Sequence, residues 1–174
     1  MRQVAVPERI RWAVETLAVR PGDRVLEIGC GSGVAASLVC DRLDEGRMLA
    51  IDRSATQIER ARRRNHAHLA SGRLGLETAD IADLDMEDGG RFDKVFAINV
   101  NVFWLGPATK ELSRVRRALA PDGRLFLFYE PPGAERARQV VERVAAVLRA
   151  EGFAEPQTLA PRPTLLCCIS APRP

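Results

Sequence analysis

A chain of 174 residues with 46% hydrophobic and 28% charged side chains has the balance of a globular protein with one sizeable core, which excludes a disordered or fibrous polymer. The net charge of +3 is too small to mark a nucleic-acid binder. No apolar run reaches the ~20 residues of a bilayer span and no leader-like segment opens the chain, so a cytoplasmic protein with one domain over 1–174 is expected.

In chain order, Ile10, Ala13, Val14 and Leu17 mark one face of an amphipathic helix over Pro7–Val19, which Arg20-Pro-Gly-Asp23 ends. Arg24–Ile28 reads as a buried strand running into glycines, and a helix over Gly33–Leu43 follows. After a second strand, Arg47–Asp52, Ser54 and Gln57 form a capping box for a helix to Leu69. Strands follow at Leu74–Thr78 and Phe92–Ile98, the latter ending at Asn99. Pro107 suits the first turn of a helix to Leu119, and the turn Pro121-Asp122-Gly123 leads into strand Arg124–Phe128. A long helix over Ala134–Glu151 carries Val140, Val141, Val144, Val147 and Leu148 on its inner face, and Gly152 stops it. Two strand-like runs, Glu155–Ala160 and Thr164–Ser170, flank Pro161-Arg162-Pro163 closely enough to form an antiparallel hairpin. Strands alternating with helices define an α/β architecture with a mostly parallel sheet.

Cys30, Cys40, Cys167 and Cys168 form no CxxC pair and stand at no metal-ligand spacing, so all four are expected reduced and no metal site is expected. Cys30 falls inside the glycine loop, where it would border a ligand. His66 and His68, late in an arginine-rich helix, read as exposed, and the arginine clusters at 60–64 and 114–117 read as solvated helix faces.

Open parallel sheets bind ligands beyond the C-terminal ends of their strands. The first strand ends in Glu27-Ile-Gly29-Cys-Gly31-Ser-Gly33, where glycines turn the chain tightly and keep side chains away from a ligand. Asp52 ends the second strand, where a carboxylate can accept both hydroxyls of a ribose. Asp80-Ile81 follows the third strand and Asn99 the fourth. A nicotinamide dinucleotide site also pairs a glycine turn with a downstream acid. Here, however, glycine falls at 33 rather than 34, and Glu27 suits an ammonium better than a pyrophosphate.

With these features the chain resembles the class I S-adenosylmethionine-dependent methyltransferases from about Pro7 to Ser170. Val25-Leu-Glu-Ile-Gly-Cys-Gly-Ser-Gly33, Ala50-Ile-Asp52, Ala79-Asp80-Ile81, Phe92–Asn99 and Leu119–Leu125 recur in that family's order. The resemblance implies a three-layer Rossmann-like sandwich with a seven-stranded, mostly parallel sheet whose last strand is antiparallel. It implies S-adenosylmethionine as cofactor and S-adenosylhomocysteine as product. Glu27 with Gly29, Gly31 and Gly33 would hold the methionine part, and Asp52 the ribose. Arg53 would flank the adenine, and Asp80 with the Ile81 N–H would read its edge; Asn99, at the end of the fourth strand, is a further candidate cofactor-binding residue.

The acceptor side is less explicit. The family's Asn/Asp-Pro-Pro-Tyr/Phe signature is replaced by Asn99-Val-Asn-Val-Phe-Trp104, which argues against methylation of nucleobase amino groups. Phe103 and Trp104 are either an apolar acceptor wall or packing anchors. Tyr129 and Glu130 end the fifth strand and are the candidate catalytic groups, while Trp12 and Arg11 of the N-terminal helix are candidate covers. A small-molecule acceptor is expected. A nicotinamide oxidoreductase and a catalytically silent cofactor-binding domain are the alternatives.

Overall fold

The computed structural model describes residues 5–84, 91–161 and 163–174, so Arg162 of the expected hairpin loop lies outside the described residues. Helix α1 (Glu8–Thr16) buries Ala13 and Val14, and Ala18 just beyond it turns into the left-handed region at φ 45°. The chain then enters β1 (Arg24–Ile28), followed by α2 (Val34–Cys40) and β2 (Arg47–Asp52).

The helix expected to reach Leu69 is two: α3 (Ala55–Arg64) and α4 (His66–Ala70). Asn65 breaks it at φ −109°, ψ 25°. Its buried side-chain amide donates to the Ala61 carbonyl (2.9 Å) and to Gly33 (3.0 Å), an alternative to continuing the helix. Ser54 caps α3 as expected, accepting from the Gln57 N–H. His66 is exposed, whereas His68 is half-buried with its ring 3.3 Å from Asp41.

Strands β3 (Leu74–Thr78) and β4 (Phe92–Ile98) precede two further helices, α5 (Val102–Leu105) and α6 (Thr109–Ala118). The reading of Pro107 in a first helical turn is corrected: α6 starts at Thr109. Ala108, at φ 49°, is the residue whose carbonyl accepts from Leu112. Strand β5 (Leu119–Tyr129) begins five residues earlier than expected. Phe92 pairs with Leu119 and Lys94 with Arg124, so the Pro121–Gly123 turn is a bulge within the strand. A Cβ at Gly123 would come 2.7 Å from the Phe92 carbonyl oxygen, which explains glycine at that crossing.

The chain closes with α7 (Ala134–Ala150), β6 (Gln157–Leu159) and β7 (Cys167–Pro172). The hairpin pairing is present, but β7 starts at Cys167, three residues late. The preceding segment holds two prolines and a Thr164 hydroxyl bonded to the Pro161 carbonyl.

The sheet runs β3-β2-β1-β4-β5-β7-β6, with β7 antiparallel to both neighbours and the other registers parallel. Each face carries its own core. Val25, Ala50, Phe96 and Phe128 face α1, α2 and α3, while Leu26, Val95, Leu125 and Leu127 face α6 and α7. This alternation along each strand makes three layers. Strand order reverses between the parallel neighbours β1 and β4, and a crevice for ligands opens at such a switch.

Candidate functional site

Three cavities lie beyond the C-terminal ends of β1, β2, β4 and β5, and Asn99 borders all of them. Asn99 leaves β4 with φ 55°, in the left-handed conformation that Asn tolerates better than most residues. Its N–H donates to the Phe128 carbonyl (2.8 Å), and its side-chain oxygen accepts the Glu130 N–H (2.9 Å). One residue thus ties the ends of β4 and β5 together.

The first cavity, ≈200 Å³, is bordered by Arg9, Glu27, Gly29, Cys30 and Gly31. Glu27 is 3% exposed, and its Oε2 has no hydrogen-bond partner among the described residues. Burial, reinforced by the Asp52 charge, pushes its carboxyl up to about 8. An uncompensated buried carboxylate is costly, so this cavity favours a cation against Glu27. Burial likewise raises the Cys30 thiol, with Glu27 and Asp52 adding to the effect, so the sulfur stays an unreactive thiol.

The glycine turn has two distinct requirements. Gly31 lies at φ 53°, where its N–H donates to Asp52 Oδ2 at 2.8 Å, and a Cβ there would meet no protein atom within 4 Å. The space above it is therefore open to a ligand. At Gly33, by contrast, a Cβ would lie 2.6 Å from Asn65 Nδ2 and 2.9 Å from Ala61 Cβ, so this glycine lets α2 dock on α3.

The second cavity, ≈370 Å³, is bordered by Asp52, Arg53, Asp80, Ile81, Val100 and Val102, among others. Asp52 accepts the Gly31 N–H on one oxygen and the Ser54 N–H (2.9 Å) on the other. Each oxygen keeps a second lone pair for a ligand. Asp80 accepts the Ala82 N–H at 3.0 Å and lies 3.8 Å from Arg53. The Arg53 side chain is 82% exposed, so that pair contributes little.

The third cavity, ≈360 Å³, is bordered by Asn99, Asn101, Trp104, Tyr129, Pro131 and Arg136, among others. Trp104 donates its indole N–H to Asn101 Oδ1 (3.1 Å), and the Arg136 guanidinium lies 5.5 Å from the ring centroid. Phe103, by contrast, is 1% exposed in the core and borders none of the three cavities. Of the pair offered as wall or anchor, Phe103 is packed in the core and Trp104 borders a cavity. Trp12 also borders none: it packs edge-on to Phe128, 5.5 Å between centroids, against the other face of the sheet. Arg9 and Ile10, not Arg11 or Trp12, are the α1 residues that border the first cavity, and Arg9 pairs with Glu130 at 3.1 Å.

Tyr129 is buried and donates its hydroxyl to the Val100 carbonyl at 3.1 Å. Burial raises its phenol above the ordinary range, which makes it a fixed donor and unfit as a base. Glu130 borders the third cavity with its carboxylate engaged by Arg9. Sequence reading missed Arg9, Asn65, Val100, Asn101 and Arg136. Val100 and Asn101 stand inside the Asn99–Trp104 stretch but were given no role there, and only the fold carries Arg9 and Arg136 to strand ends distant in sequence.

A family model described as a methyltransferase domain matches residues 25–123. The chain belongs to that family. Together with the sheet order and glycine turn, this identifies a class I S-adenosylmethionine-dependent methyltransferase domain with S-adenosylmethionine as cofactor. The chain is 33% identical over 141 residues to trans-aconitate 2-methyltransferase of Methylobacterium nodulans, covering 79% of this chain and 51% of that protein. It is 32% identical over 146 residues to 27-O-demethylrifamycin SV methyltransferase of Amycolatopsis mediterranei, covering 79% and 53%. The chain spans between 32% and 60% of the length of the first curated relatives it matches. The crystal structure of a SAM-dependent methyltransferase from Aquifex aeolicus shares the fold, with a TM-score of 0.77 at 16% identity, over 95% of this chain and 89% of that one.

The residues present suit the cofactor. The orphaned Glu27 oxygen matches an ammonium, the open space over Gly31 admits a ligand against the main chain, and Asp52 retains acceptor capacity. Among the described residues no cluster of His, Cys, Asp and Glu could hold a metal ion, and no helix is long and apolar enough to cross a membrane.

Proposed function

We propose that this methyltransferase methylates a small organic acceptor held in the third cavity, with its cofactor across the first two. The observation that carries this reading is Asn99, which borders all three cavities and so sets them side by side. Glu27 binds the cofactor's ammonium group, Asp52 its ribose, and Asp80 with Ile81 its base. The cofactor supplies a methyl group already activated on a sulfonium, so the protein's work is positioning and exclusion of water. Trp104 and Pro131 orient the acceptor, Asn99 fixes the join between the donor and acceptor cavities, and α1 covers the donor through Arg9. Tyr129 holds the Val100 carbonyl and needs no proton transfer of its own.

Calorimetric titration with S-adenosylhomocysteine, S-adenosylmethionine and NAD tests the donor half: the first two bind and NAD does not. Radiolabelled methyl transfer over a panel of small acceptors tests the other half. Binding of NAD alone, or methylation of nucleic acid in preference to every small molecule, would overturn the reading.

A further inference from the structure

We propose, building on the acceptor reading above, that the third cavity takes an organic anion, with Arg136 gripping an acceptor carboxylate while the acceptor's apolar body lies against Trp104. The cavity holds two opposite kinds of charge, and they are not equivalent. Glu130 is neutralised by Arg9, 3.1 Å away. Arg136 has no carboxylate within 4 Å among the described residues, and its one hydrogen bond there runs to the neutral amide of Gln139 at 3.2 Å. The adjacent acid Glu135 is already taken, paired with Arg138. The cavity therefore presents an uncompensated cation.

That cation is held in place. Asn101 fixes the Trp104 ring through the indole N–H, and the ring in turn supports the guanidinium at 5.5 Å. A second tether between the same elements runs from Arg143 to the Leu105 carbonyl at 3.3 Å. Stacking on an aromatic face leaves the edge of a guanidinium free, and that edge is the fork that matches a carboxylate in two parallel hydrogen bonds. Arg136 is also the third residue of the seventeen-residue helix α7, whose first-turn N–H groups add positive potential at the same rim. The remaining wall, with Pro131, Pro132 and Val140, is apolar and brings no competing carboxylate. A lysine at 136 would keep the charge and lose the fork.

A matched pair of probes decides the matter: 4-fluorobenzoate and 4-fluorobenzamide, nearly equal in shape and different in charge. Their binding is followed by fluorine NMR with the protein saturated in S-adenosylhomocysteine. The acid should bind about tenfold more tightly than the amide, the lower end of what a charge-assisted bidentate pair supplies at a solvent-exposed rim. Arg136→Gln should bring the two to parity, and Arg136→Lys should recover only part of the preference. Arg136 borders only the third cavity, so S-adenosylhomocysteine affinity in each variant reports that the fold and donor side are intact. Equal binding of both probes by the natural protein, no binding of either, or a preference that survives Arg136→Gln would overturn the proposal. If S-adenosylhomocysteine itself fails to bind, the donor reading falls separately, and the acid preference is then measured on the cofactor-free protein.

Discussion

Replacing Glu27 by Gln makes the sharpest test of the donor site, because the buried carboxylate couples cofactor binding, folding and pH. In the cofactor-free protein the Glu27 carboxyl is pushed from 4.5 to about 8 by burial, with the Asp52 charge adding to it. The unfolded chain ionises this group above about 4.5, whereas the folded chain keeps its proton until about 8. Stability conferred by the protonated group is therefore complete below the lower value and is lost as pH rises through the higher one. At ~1.4 kcal/mol per pK unit, the loss across that window is on the order of 3–5 kcal/mol, and a glutamine does not incur it. Chemical denaturation of both proteins between pH 5 and 9 should then give curves that diverge as pH rises, with Glu27→Gln the more stable in alkali. An ammonium ligand reverses the balance, because it favours the carboxylate and expels the proton. Calorimetric titration with S-adenosylhomocysteine near pH 7, in two buffers of different ionisation enthalpy, should show close to one proton released. Glu27→Gln should release none and bind more weakly by roughly 2–4 kcal/mol, having lost the charge partner. Parallel denaturation curves together with an unchanged affinity would refute the reasoning.

Asp52→Ala should weaken S-adenosylhomocysteine binding by roughly 2–4 kcal/mol if both ribose hydroxyls are held. It should also lower stability by about 1–2 kcal/mol, since its oxygens accept the Gly31 and Ser54 N–H groups, and calorimetry with thermal melting separates the two effects. Trp104→Ala should reduce kcat/KM for the acceptor at least tenfold while S-adenosylhomocysteine affinity changes less than twofold, as measured by steady-state kinetics and titration. Gly33→Ala should destabilise by about 2–4 kcal/mol in urea, combining left-handed strain with overlap on Ala61 and Asn65.

The candidate donor side was legible because it is local. Glu27, the glycines and Asp52 each stand at the end of a hydrophobic strand, and a strand end followed by a tight turn is written in consecutive residues. The helix boundaries that differed, at Asn65 and at Pro107, turn on side-chain hydrogen bonds and a left-handed alanine that periodicity does not record. On the acceptor side, adjacency misled. Phe103 and Trp104 are neighbours in sequence, yet on the single turn of α5 one points into the core and the other borders the cavity. Nor could spacing disclose that Arg9 meets Glu130 across 121 positions, or that Arg136 would stack on Trp104.

The way the site is partitioned has an engineering consequence. Between the cavity over the glycine turn and the one beside Trp104, Asn99 is the common residue, while the latter's other walls come from Asn101 and Trp104, the end of β5, the segment from Glu130 to Arg136 and Val140 of α7. Those walls form a cassette on a donor module that need not change with them. Exchanging Trp104 and residues 131–136 for the corresponding stretches of another chain of this fold would redirect acceptor choice, while Asn99, kept in place, preserves the hinge where the two halves meet.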